Sequence, residues 1–156
     1  MNIIEGDFTI SDDARVGIVV SRWNAFITER LVEGAVDTLA RHGLPKEQID
    51  IIYCPGSYEL PLTALQASKA KSYDAILAIG CVIKGDTPHF DYVCQAVNKG
   101  IADLNLKLEL PVLFGVLTTD TIQQAIERAG TKAGNKGAEV ATAAIEMISL
   151  GKRLKG

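Results

Sequence analysis

The chain has only three cysteines, Cys54, Cys81 and Cys94, and two histidines among 156 residues. No two cysteines stand in CxxC spacing, and two imidazoles are too few to complete a metal site with them, which argues against a metal centre. The thiols are expected to act as small buried hydrophobes in a reducing compartment. An excess of positive charge is also missing. The formal charge is −3 with lysine and arginine scattered along the chain, so the broad basic face that binds a nucleic-acid backbone is absent. Long apolar runs are missing too. "AILAIGCVI" falls far short of a bilayer span, and the start "MNIIEGDF" has neither a basic cluster nor a long apolar stretch. A cytoplasmic protein without a membrane partner is expected. There is no repeat, no low-complexity segment, no Walker loop and no nucleophile elbow. "GTKAGNKG" has GxxxG spacing and two lysines, but it lies between helical segments and not after a strand, so the context of a phosphate loop is lacking.

What is present is the balance of a soluble, folded chain: 47% apolar and 22% charged residues, in a length that suits one domain over residues 1–156. Four β-rich runs stand out, "RVGIVVS" at 15–21, "IDIIYCP" at 49–55, "DAILAIGCVI" at 74–83 and "PVLFGVLT" at 111–118. Each is almost continuously apolar, as strands covered on both faces of a parallel sheet require. Between the first two, Ile27, Leu31 and Ala35 recur every four residues, and Val32, Val36 and Leu39 widen the stripe until Gly43 and Pro45 stop the helix. A second helix begins in "YELPLTALQASKAK", where Pro61 is tolerable only in the first turn, and a third follows Pro88. A fourth helical region runs from Thr121 to the C-terminus, and the three glycines of "AGTKAGNKGAE" at 129–139 should bend or break it. The order βαβαβαβα predicts a three-layer α/β sandwich with a four-stranded parallel sheet. "MNIIEGDFT" has β-like residues without a helix to follow, and reads either as an edge strand added to a neighbouring subunit or as a frayed terminus.

Ligands of such sheets collect at the carboxyl ends of the strands. The ends here are "SRWN", "PGSYE", "GCVIKGDTPH" and "FGVLTTD". In the third, Gly85 allows close backbone approach, Thr87 suits an N-cap and Pro88 the first helical position, so free amides at the helix start could meet a phosphate. A well-capped helix and nothing more is the plain alternative. His89 stands one residue further on, where a neutral imidazole can take up or give a proton. His42, beside Gly43 at a helix C-terminus, reads as structural. Trp23 follows a strand directly, a place suited to stacking on a flat heteroaromatic ring. Ser57 and Glu59 offer a hydroxyl and a carboxylate to sugar-like hydroxyls or ring N–H groups, although Glu59 could equally be a first-turn helix charge. From the residues alone, the site is a rim pocket for a flat, hydroxylated, phosphate-associated ligand.

"SRWNAFIT", "PGSYELP", "GCVIKGDTPHFDYV", "PVLFGVLTTDTIQQAIERAG" and "GNKGAE", in this order, resemble the 6,7-dimethyl-8-ribityllumazine synthase family over nearly the whole chain. The resemblance implies a flavodoxin-like sandwich. It also implies a cofactor-free condensation of 5-amino-6-(D-ribitylamino)uracil with 3,4-dihydroxy-2-butanone 4-phosphate, releasing phosphate and water. By that resemblance Trp23 stacks on the pyrimidine, Ser57, Tyr58 and Glu59 bind the ring and ribityl chain, and Cys81, Val82 and Ile83 line the pocket. Gly85, Asp86 and Thr87 would meet the phosphate ketone and His89 would transfer protons. Phe114, Arg128 and Lys136 would complete the site from the adjacent subunit. Pentamers, sixty-subunit shells built from them, and riboflavin synthase as a partner are implied as well; the uninterrupted "GTKAGNKG" is similar to the shell-forming version of that connection. Trp23 stands where the family usually has phenylalanine and Lys84 where it often has arginine. Asp86 should turn its carboxylate toward a free amide or Arg128 and leave only backbone facing the phosphate.

Overall fold

The computed structural model describes residues 1–156. The four apolar runs become strands β1 (Val16–Ser21), β2 (Ile49–Cys54), β3 (Ala75–Ile83) and β4 (Val112–Thr119), each within a residue or two of its predicted span. All pair in parallel, in the order β2-β1-β3-β4, with Val20 of β1 opposite Tyr53 on one side and Ile79 on the other. Every residue of β1 is buried, because helices cover both sheet faces. Alternation of side chains along the strands divides the interior in two. Ile18, Val20, Leu77 and Ile79 pack with α1 (Ala25–Arg41) and α5 (Lys136–Lys155). Val19, Ile76 and Ala78 pack on the opposite face with α2 (Leu60–Ala70) and α3 (His89–Leu108). The three-layer α/β sandwich is therefore the observed architecture.

The helix ends follow local chemistry. The α1 stripe of Ile27, Leu31, Val32, Ala35 and Leu39 is buried. The helix ends at His42, whose Nδ1 lies 2.7 Å from the Thr38 carbonyl, and at Gly43 with φ 101°, so His42 has the structural role expected. Pro61 lies in the first turn of α2, as its missing N–H demands. The start of α3 differs from expectation. Pro88, with φ −68° and ψ 0°, occupies the capping position in place of Thr87, no side chain caps the helix, and His89 is its first residue. The fixed φ of the proline ring already suits the turn that starts the helix.

The last helical region is broken, not bent. A short α4 (Ile122–Glu127) is capped by Thr121, whose Oγ1 accepts from Gln124 N at 3.1 Å. A small antiparallel hairpin follows, β5 (Ala129–Thr131) and β6 (Gly134–Asn135), with Gly130 and Gly134 both at positive φ. Asn135 then caps α5 through its Oδ1 from Ala138 N at 3.1 Å and donates its Nδ2 to the Arg30 carbonyl at 2.9 Å. "GNKG" thus joins α5 to α1.

Residues 1–13 form no helix or strand in the single chain. They run along α5, where Asp7 N donates to Ser149 Oγ at 3.1 Å and Arg153 pairs with the Asp7 carboxylate. Hydrogen bonds from Thr9, above all, hold that carboxyl far below the usual range. No helix is long and apolar enough to cross a membrane.

At the amino ends of the strands, Asp50 accepts from Lys71 Nζ at 2.7 Å and from Tyr73 OH at 2.9 Å. The Lys71 hydrogen bond leads in holding the Asp50 carboxyl below its usual range, against the opposing effect of burial. Burial, with help from Asp50, pushes the Tyr73 phenol up to about 12. A depressed carboxylate stabilises the fold above its unfolded value of about 3.9 and loses that contribution as pH falls toward the folded value. Asp50→Asn should therefore lower the urea midpoint near neutrality, and its deficit should shrink on going from about pH 6 to about pH 3. A deficit that stays constant across that window would contradict the linkage.

Candidate functional site

The order β2-β1-β3-β4 sends the chain outward from β1 in one direction to β2 and in the other to β3, which opens a crevice between β1 and β3 at their carboxyl ends. A cavity of about 420 Å³ occupies that crevice. This lies within the roughly 300–1,000 Å³ of small-molecule sites. Four segments build its walls.

From β1, the parallel hydrogen bonding continues past the strand: Arg22 N donates to the Cys54 carbonyl at 2.9 Å and Trp23 N to the Pro55 carbonyl at 3.2 Å. This carries the indole to the mouth, where it is 64% exposed. Asn24 follows in the left-handed region, φ 61°, a conformation that asparagine tolerates better than most residues. Its Nδ2 donates to the Cys81 carbonyl at 2.8 Å and so ties the β1 and β3 rims together across the crevice.

From β2, a single 3₁₀ turn, Ser57–Glu59, supplies three side chains. Ser57 is buried and lies against Gly80 of β3, where a Cβ would come within 2.6 Å of Ser57 Oγ. The Glu59 carboxylate has a local backbone role and a place on the cavity wall. Its Oε2 accepts from Gly56 N at 3.0 Å, as a capping group does, while the side chain also lines the cavity. Tyr58 stands exposed at the mouth. From β3 come Cys81, Val82 and Ile83. Burial pushes the Cys81 thiol up to about 11, so it forms part of the wall as a neutral group and has no thiolate for nucleophilic work. Cys54 is also buried, whereas Cys94 is only partly so. From α3, His89 and, one turn later, Val93 close the far side.

Trp23, Ser57, Tyr58, Glu59, Cys81, Val82, Ile83 and His89, all singled out in the sequence, therefore line one cavity. Gly85, Asp86 and Thr87 form the exposed turn from β3 into α3 beside it, and do not line it. Asp86 accepts no hydrogen bond within the chain, so the turn of its carboxylate toward an amide or Arg128 is not observed. Phe114 on β4, Arg128 after α4 and Lys136 at the start of α5 lie outside this cavity. Arg128 donates to the Gln124 carbonyl at 2.9 Å, and Lys136 pairs with Glu139. Asn24 and Val93 were not foreseen. The αL preference of asparagine directly after Trp23, and the four-residue spacing of Val93 from His89, were the available signals.

A larger hollow, about 690 Å³, lies at the other end of the sheet between the C-terminal ends of α2, α3 and α5. The last turns of three helices meet there, and Lys69, Lys152 and Lys155 stand where lysines offset negative helix-end charge. Tyr73 is its one aromatic, and it has neither an indole nor an imidazole.

Fold and crevice together define an α/β sandwich protein with a cavity of small-molecule size at the point where strand order reverses. The family described as 6,7-dimethyl-8-ribityllumazine synthase matches residues 13–152. The chain belongs to that family of enzymes, the lumazine synthases of riboflavin biosynthesis.

Proposed function

We propose that the protein condenses 5-amino-6-(D-ribitylamino)uracil with 3,4-dihydroxy-2-butanone 4-phosphate to give 6,7-dimethyl-8-ribityllumazine, phosphate and water, as a cofactor-free transferase. The observation that carries this reading is the convergence of an indole, a hydroxyl, a carboxylate and an imidazole on one crevice. The uracil amine attacks the ketone and a Schiff base forms with loss of water. Phosphate then leaves from C4 as the C3 proton is removed, the resulting enol tautomerises to a C3 ketone, and the ribityl-bearing nitrogen closes the ring on that new carbonyl with loss of a second water. His89 moves protons in these steps, and the Trp23 indole clamps the pyrimidine. The Gly85–Thr87 turn holds the phosphate ketone. Phe114 and Arg128, both exposed, and the half-buried Lys136 complete the site from an adjacent subunit, which makes the working unit a homo-oligomer, a pentamer able to assemble into a sixty-subunit shell in the cytoplasm. In that assembly "MNIIEGDFT", residues 1–9, adds an edge strand to a neighbour, and riboflavin synthase is the candidate for a partner that takes the product.

Purified protein mixed with the two substrates should produce a fluorescent lumazine and release one phosphate per product. Neither signal above the uncatalysed rate would end the proposal.

Arg128 gives a sharper test of the shared site. A guanidinium matches phosphate geometry in a fork that lysine cannot reproduce. Arg128→Ala should raise the KM for the phosphate ketone at least tenfold and change pyrimidine affinity less than threefold, about the loss of one charge-assisted hydrogen-bonded pair. Equal losses for both substrates would count against the assignment.

A further inference from the structure

We propose that Gly56 is a positioning residue, one that seats the Trp23 indole and thereby sets how tightly the crevice holds a planar heteroaromatic ring; its role in turnover rests on the function proposed above. Glycine is not demanded there by the backbone. At φ −140° and ψ 177° Gly56 is extended, a conformation open to any residue. What it lacks is a Cβ, and the space that atom would fill belongs to the indole. A Cβ built on Gly56 would stand 2.6 Å from Cε3 and 2.7 Å from Cζ3 of Trp23, and 3.1 Å from Glu59 Oε2.

The six-membered part of the indole therefore rests on bare backbone. The same residue donates its N–H to Glu59 Oε2 at 3.0 Å. One glycine consequently holds two walls of the cavity, the ring by contact and the carboxylate by a hydrogen bond. The Trp23 backbone, donating to the Pro55 carbonyl at 3.2 Å, fixes the hinge from which the indole hangs.

A methyl group at Gly56 must displace something. The atoms it meets belong to side chains, and the indole is 64% exposed, with solvent to swing into. The indole therefore moves and the fold stays. Trp23 is the only tryptophan, so its emission reads that movement without interference.

Gly56→Ala in the full-length, assembled protein provides the test, with riboflavin as the flat-ring probe. The far-UV spectrum should match the parent protein, while tryptophan emission and iodide quenching change. Riboflavin affinity, measured by equilibrium dialysis, should weaken about tenfold, near the upper worth of one stacked aromatic pair. In turnover the KM for the pyrimidine should rise by a similar factor, with kcat and the KM for the phosphate ketone changed less than twofold. Made together with Trp23→Phe, the same substitution should cost under threefold, because the smaller ring lacks the outer atoms that the methyl meets. Unchanged emission and quenching would overturn the proposal. So would a moved indole with unaltered riboflavin affinity, a full loss in the Trp23→Phe background, or a variant that fails to fold. If the parent protein turns over neither substrate, the enzymatic reading fails separately, and emission, quenching and riboflavin binding still decide the role of Gly56.

Discussion

His89→Ala is expected to slow turnover by roughly a hundredfold to ten-thousandfold and to leave a measurable enzyme behind, the range that general acid–base catalysis contributes. The imidazole stands on the first residue of α3 and lines the same cavity as Trp23 and Glu59. In the proposed reaction it moves protons between the bound reactants. Proton transfer is nevertheless the smaller part of the acceleration. Two reactants held side by side in one crevice escape most of the entropy loss of meeting in solution, and this is worth roughly 7–11 kcal/mol in well-oriented systems. That contribution needs the walls and not the imidazole. Pyrimidine affinity, followed by quenching of the lone tryptophan, should therefore be nearly unchanged in the variant while kcat falls. Abolished turnover with binding intact would shift the greater share of catalysis onto His89.

The central strands β1 and β3 could be read to within about two residues because they are buried on both faces, so continuous apolarity marks their length directly. Although Ile51, Tyr53 and Phe114 are exposed, enough apolar residues remained for the edge strands β2 and β4 to be read as closely. Their order could not be read. Hydrophobic runs carry no record of which neighbour they pair with, and the placement of β1 between β2 and β3, which opens the crevice, is a property of the crossovers. Trp23, Ser57 and Glu59 were legible because aromatic or polar groups stood within a few residues past an apolar run, and His89 because it follows Pro88 at a helix start. Asn24 and Gly56 were not, since one acts through a left-handed backbone and a bond to Cys81 across the crevice, and the other through an atom it lacks. The start of α3 was misplaced by one residue for a similar reason. Hydroxyl preference favoured Thr87, whereas the φ of Pro88 decided the turn. The glycines at 130 and 134 announced a break, but only pairing across the hairpin shows that Gly130 sits at the irregularity in β5 and Gly134 opens β6, both at positive φ. Phe114, Arg128 and Lys136 came from family resemblance alone, and no periodicity within one chain could bring them to this cavity.

Gly137→Ala should be among the most destabilising single-methyl changes in the molecule. A Cβ on Gly137 would lie 1.8 Å from the Leu31 carbonyl oxygen and 2.6 Å from its carbon. Those are backbone atoms in the middle of α1, so no rotamer change can relieve the clash. On the same seam Gly34 has no room for a Cβ either, with the Asn135 side chain 2.5 Å from that position. The Asn135 bond to the Arg30 carbonyl draws the start of α5 onto α1 at this point. Accommodating the methyl requires the helices to separate, which strains that bond and opens the layer formed by Leu31, Val140 and Ala141. Overpacking costs about 1–3 kcal/mol when side chains can yield and more when they cannot, so a loss of about 3 kcal/mol or greater is expected. For a chain of this size that is a fall of about 6–12 °C in the thermal midpoint. Gly151→Ala supplies the control: it lies in the same helix, has no atom within 4 Å of its would-be Cβ, and should gain up to about 1 kcal/mol from helix propensity. Equal midpoints for the two variants would mean that α1 and α5 do not cross as closely as Gly137 requires.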